Sequence, residues 1–93
     1  MAIKSFRHKG LEDFFYDGTT KGIIPQHKTR LSTRLDRLQA ATGPDDMNLP
    51  GYKLHKLEPK KDNRWAVSIS GPWRLTFEFD GGDAIVVDYE QYH

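Results

Sequence analysis

The spacing of hydrophobic positions changes period about midway along the 93 residues. In the first part, Leu11, Phe14 and Phe15 recur at i, i+3, i+4, which predicts a short amphipathic helix over Gly10–Tyr16. Glu12 and Asp13 fall in its first turn, where the helix dipole favours negative charge, and Gly18 is its expected stop. Leu31, Leu35 and Leu38 form the stripe of a second helix, started by Pro25 and closed near Thr42 by Gly43-Pro44. Ahead of both, Ile3–Phe6 reads as a short strand. Beyond Asp45 and Asp46 the period becomes two. Tyr52–Leu57 is one expected strand and Arg64–Ser70 a second, with Trp65, Val67 and Ile69 on one face. After Gly71-Pro72, Trp73, Leu75, Phe77 and Phe79 alternate with Arg74, Thr76 and Glu78. Asp80-Gly81-Gly82-Asp83 signals a hairpin, and Ala84–Tyr89 is the last strand.

The expected order is therefore β-α-α-β-β-β-β. Helices gathered early and a meander late give an α+β class, with two N-terminal helices packed on one face of an antiparallel sheet. The opposite face would carry the polar strand members, Arg74 and His55 among them. Ninety-three residues suffice for one compact domain, taken as residues 1–93.

Composition narrows the setting. The absence of cysteine excludes a disulfide framework and thiolate metal sites, and points to the cytoplasm. No apolar run approaches the roughly 20 residues of a membrane span, and Met1–Gly10 has no signal-peptide core. A formal net charge of +1 argues against a polybasic nucleic-acid sponge. Its distribution says more: Lys53, Lys56, Lys60, Lys61 and Arg64 cluster against only Glu58 and Asp62. Such a patch suits a polyanion, or simply keeps the surface solvated. Arg30, Arg34 and Arg37 stand beside the leucine stripe of the second helix, as a solvated flank or as an RNA-phosphate contact.

No metal, nucleotide or nucleophile-elbow motif is present, and the four histidines lack ligand spacing. The chemistry left open is metal-free acid–base catalysis. RNA can be cut this way when its own 2′-hydroxyl attacks the phosphate. A base must take that proton, an acid must serve the leaving 5′-oxygen, and cations must stabilise the phosphorane. His55, His93 and Arg74, with the lysines nearby, have the required types. Each has an ordinary alternative. His55 could be a structural strand residue, His93 a frayed end, and Arg74 the ion-pair partner of Glu78 or Glu90. His8 and His27 read as surface residues.

Four blocks carry a resemblance: Ile3-Lys4-Ser5-Phe6-Arg7-His8-Lys9-Gly10-Leu11, Tyr52-Lys53-Leu54-His55-Lys56-Leu57, Trp73-Arg74-Leu75-Thr76-Phe77-Glu78-Phe79 and Asp88-Tyr89-Glu90-Gln91-Tyr92-His93. Together, in this order across the whole chain, they resemble the HigB family of the RelE superfamily. The resemblance implies a microbial-RNase-like (RelE-like) fold and a toxin that cleaves mRNA in the 30S A site of the ribosome, without a cofactor. It further implies neutralisation by a HigA-like helix-turn-helix antitoxin, with operator DNA bound only through that complex. It makes His55 and His93 acid–base groups, Arg74 the holder of the scissile phosphate, and Tyr92 a base-stacking residue. Two positions depart from the family's pattern: Glu58 stands where a lysine is usual, and Gln91 where an acidic residue is usual. A non-catalytic module that blocks translation by binding the ribosome or RNA is the alternative function. An autoregulatory partner-binding role is a third.

Overall fold

The computed structural model describes residues 2–57 and 63–91. Helix α1 (Lys9–Asp17) is followed by a 3-10 turn (Pro25–His27), helix α2 (Lys28–Ala40) and a second 3-10 turn (Pro44–Met47). Strands β1 (His55–Lys56), β2 (Trp65–Ser70), β3 (Trp73–Asp80) and β4 (Asp83–Gln91) then form one antiparallel sheet in sequence order. The α+β class with helices first and strands after is as the hydrophobic period predicts.

Helix α1 begins at His8, whose ring Nδ1 accepts the Leu11 N–H at 2.9 Å, and ends at Gly18 in the left-handed region at φ 78°. A glycine adopts that conformation without a side-chain clash, and its N–H closes the turn on Phe14. Gly10 serves a different purpose. A Cβ there would lie 2.5 Å from the Gly22 carbonyl oxygen, so two backbones approach where no side chain fits. Pro25 opens a separate 3-10 turn rather than α2 itself, which is shorter at both ends than the expected span from Pro25 to about Thr42.

The two helices put Leu11, Phe14, Leu31, Leu35 and Leu38 against Val67, Ile69, Leu75, Phe77 and Val87 of the sheet. Burial of these side chains is the main stabilising term. Strand β1 is only two residues long where six were expected, because Lys53 takes a positive φ of 53°. Flanking bonds, Ser68 N–H to Tyr52 O and Leu57 N–H to Arg64 O, still hold this stretch beside β2. The expected first strand meets the sheet through two parallel bridges only, Ile3 to Ala84 and Phe6 to Val87. Between their β4 partners lies Val86, at φ 51°, where the β3–β4 register shifts. That bulge breaks the regular ladder on both sides of β4.

Candidate nucleic-acid interface on the open sheet face

The pairing register sets which side chains share the uncovered face. Ala66 lies opposite His55 on one side and Thr76 on the other, and Thr76 lies opposite Asp88. One row along, Ser68 lies opposite Arg74, which lies opposite Glu90. His55 and Arg74 thus lie on the same face, two strands and one row apart, about 12 Å between Cα positions from strand spacing and rise. Side chains of their length can converge on one phosphodiester from there.

His55 is half-buried, and its Nδ1 lies 3.0 Å from the Lys53 carbonyl oxygen. A carbonyl only accepts, so this contact places the ring proton on Nδ1 and makes Nε2 the basic nitrogen of the neutral ring. Arg74 Nη1 donates to the carbonyls of Gly71 at 2.6 Å and Trp73 at 3.1 Å. These bonds anchor the guanidinium at the β2–β3 turn and fix the plane of its donors.

The other expected cations divide. Lys53 is exposed. Lys56 pairs with Trp65 and its ammonium lies 5.8 Å from that ring's centroid, which puts it on the side of the sheet opposite His55. Arg64 is committed to the sheet rather than to solvent. Its side chain is 11% exposed and donates to Val86 O at 2.8 Å, Thr76 Oγ1 at 2.6 Å and Glu78 Oε2 at 3.3 Å. Glu90 Oε2 stands 3.9 Å away. Lys60, Lys61, Tyr92 and His93 lie outside the described residues, as does Glu58. Among the described residues no group of three or more His, Cys, Asp or Glu could hold a metal ion.

Two arginines of α2 clamp the helix to the sheet, and a third ties it to the second 3-10 turn. Arg30 Nη1 donates to Ile69 O at 3.0 Å, Arg34 Nε to Ser68 O at 2.7 Å, and Arg37 Nε to Asp46 O at 2.9 Å. Arg34 is buried and stacks over Tyr52, 4.3 Å from the ring centroid. The Ser68 carbonyl bonded by Arg34 and the Ile69 carbonyl bonded by Arg30 sit at the β2 irregularity between Ser68 and Ser70, and Ser68 lies directly across from Arg74. For Arg34 the RNA-phosphate alternative gives way to backbone bonding, while Arg30 and Arg37 remain exposed on the helix flank.

His27 is buried, not a surface residue. Its Nδ1 lies 2.6 Å from Tyr89 Oη, and the hydroxyl also accepts the Ile24 N–H at 3.4 Å. Which of the two donates follows the His27 tautomer, since the hydroxyl has one proton to give and two lone pairs to accept with. Burial first, and the Arg30 charge second, push the His27 pKa down; burial pushes the Tyr89 hydroxyl up. Trp73 stacks on Tyr89 with ring centroids 4.8 Å apart. This cluster backs the strand ends that carry Arg74 and Glu90. Its sequence signal was a histidine two residues after Pro25, in a position that spacing alone could not bury.

Two helices on one side of an antiparallel meander, with a polar face bearing Arg74 and His55 on the other, define a small α+β protein. The model of the RelE-like toxin of type II toxin–antitoxin system HigB matches residues 4–93. The chain is also 41% identical over 91 residues to the endoribonuclease HigB of Proteus vulgaris, covering 98% of this chain and 99% of that protein. The chain belongs to the HigB family of RelE-like toxins.

Proposed function

We propose that this chain is an endoribonuclease toxin that cuts mRNA in the A site of the translating ribosome. The placement of His55 and Arg74 on one open sheet face carries the reading, and the name of the Proteus vulgaris relative supports it. In this mechanism Nε2 of His55 takes the proton of the substrate 2′-hydroxyl. The 2′-oxygen attacks the adjacent phosphorus, and the bond to the 5′-oxygen breaks, leaving a 2′,3′-cyclic phosphate. His93 gives its proton to the departing 5′-oxygen. Arg74 donates to the non-bridging oxygens as charge grows on the phosphorane. Tyr92 stacks on a base next to the scissile bond, while Lys53, Lys60 and Lys61 draw the phosphate chain toward the face.

The natural partner is a HigA-like helix-turn-helix antitoxin, and operator DNA is reached only through the complex. Primer extension on mRNA in translating ribosomes tests the activity. Cleavage by the wild-type chain, lost on Arg74→Ala and on His55→Ala, is the expected outcome. Growth arrest with intact transcripts would replace cleavage with a binding-only blockade. Undiminished cleavage by Arg74→Ala would remove the assigned site.

A further inference from the structure

We propose that Lys53 is a positioning residue that acts through its backbone: held in a left-handed conformation, it turns its carbonyl onto the His55 ring and so fixes the nitrogen at which His55 exchanges protons. This rests on the role given to His55 above. Lys53 is exposed, and its φ is 53°. A residue with a Cβ seldom takes that conformation, and it persists only where the surrounding chain over-determines it.

The chain on either side of Lys53 is anchored. Tyr52 N–H donates to Leu49 O at 3.0 Å, and Tyr52 O accepts the Ser68 N–H at 2.6 Å. The Tyr52 ring also lies under the Arg34 guanidinium. Beyond Lys53, His55 pairs with Ala66 and Leu57 N–H donates to Arg64 O at 3.0 Å. From Tyr52 to His55 the chain takes three steps, while its partner runs from Ser68 to Ala66 in two. One extra residue is therefore taken up between the anchors, as in a β-bulge whose first residue is left-handed. Glycine is usual at that position, and lysine occupies it here.

Such bulges re-aim a neighbouring side chain, and the one at hand is His55. In a regular strand the carbonyls bond sideways to neighbouring strands while side chains stand roughly perpendicular to the sheet. A ring then does not meet the carbonyl two residues back. With Lys53 left-handed, its carbonyl oxygen lies 3.0 Å from His55 Nδ1. A carbonyl only accepts, so Nδ1 carries a proton in the neutral and in the charged ring alike. The proton that comes and goes is the one at Nε2. A histidine ring in water favours the other tautomer, protonated at Nε2, which has no lone pair there to receive a proton from a 2′-hydroxyl. The bulge thus selects the tautomer that the reaction uses.

The test compares Lys53→Asn with Lys53→Val. Both remove the ammonium, but asparagine tolerates the left-handed region and a β-branched valine does not. Nitrogen-15 chemical shifts of the His55 ring, taken at a pH where it is neutral, report the tautomer in each purified chain. Single-turnover cleavage of mRNA in programmed ribosomes, at saturating protein, reports the rate. Wild type and Lys53→Asn are expected to keep the Nδ1-protonated ring. Lys53→Val should move toward the Nε2-protonated form and cleave on the order of tenfold more slowly than Lys53→Asn. The charge is lost in both variants, so the ratio between them reports the backbone alone. Melting curves accompany each chain, because a purely structural role would lower the Tm of Lys53→Val without moving the tautomer. A wild-type ring protonated at Nε2 overturns the proposal and requires no variant to fold. Equal tautomers or equal rates in folded Lys53→Asn and Lys53→Val also overturn it. Undiminished cleavage by His55→Ala sinks the role of His55 instead, so the two failures are separable.

Discussion

Replacing Arg34 by Met keeps the length and most of the volume of the side chain while deleting its donors. In the fold, Arg34 Nε donates to Ser68 O at 2.7 Å and its guanidinium stacks on Tyr52 at 4.3 Å. A hydrogen bond from a charged donor contributes about 1.5–3 kcal/mol, and a cation–ring contact about 0.5–1 kcal/mol. The residue is 9% exposed, so solvent screens little of this. Met still covers the apolar floor with its stem. The variant should therefore lose about 2–4 kcal/mol, a sizeable share of the roughly 5–15 kcal/mol of a typical domain. For a chain this short that corresponds to a fall in Tm of about 10–25 °C. Circular dichroism melts and urea titrations measure both quantities. A double-mutant cycle with Tyr52→Leu isolates the ring contact, with about 0.5–1 kcal/mol of coupling expected. A Tm within a few degrees of wild type would mean that the clamp is a surface decoration and that the Ser68 carbonyl finds water instead.

Four further outcomes follow from the same geometry. The His27 pKa is lowered in the fold, so the native state binds fewer protons than the unfolded chain once pH falls below about 6.5. Its contribution is whole above that value and is lost as pH drops toward the folded pKa; His27→Phe should flatten the decline in Tm between pH 7.5 and 5.5, and an unchanged slope would count against the buried neutral ring. Gly10→Ala, which in an ordinary helix interior stabilises by about 1 kcal/mol, should here lower stability by about 1–3 kcal/mol, because the new Cβ meets the Gly22 backbone; a raised Tm would refute that close approach. His8→Ala removes the acceptor for the Leu11 N–H and should cost about 1 kcal/mol by urea denaturation. Gly18→Ala places a Cβ in the left-handed region and should cost about 1 kcal/mol, read in the same way.

The periods of the chain make the layers legible in the sequence. Leu31, Leu35 and Leu38 could only be one helix face, and Trp73, Leu75, Phe77 and Phe79 only one strand face. That alternation also put Arg74, Thr76 and Glu78 together on the other side. What the pattern could not carry was pairing at a distance. Arg64 stands one residue before Trp65, and its alternation phase already matched Thr76 and Glu78. Only the β2–β3 register shows it opposite Glu78 and bonded beneath Glu90. The helix-flank position of Arg34 read as exposed because helical spacing does not reveal a β2 carbonyl waiting within reach. Val86 gave no signal, since a valine at positive φ is contrary to local preference and is imposed by contacts from Ser5 and Arg64.

The bridges from Ile3 and Phe6 to the last strand have a consequence in time. Ala2, Lys4, Ser5 and Arg7 exchange backbone hydrogen bonds with Ala84 and Val87, closing contacts across about eighty residues of sequence. Every strand of the meander can form with its predecessor, but this seam must wait for β4. During synthesis the backbone partners of this seam appear only when nearly all the described sequence has been made, although Ile3 can already bond Gln39 and Phe6 can pack on Phe15. Contacts so far apart also slow the search for the native state. A nascent chain of this protein therefore completes its sheet late, after the helices and the β2–β3 hairpin are already available.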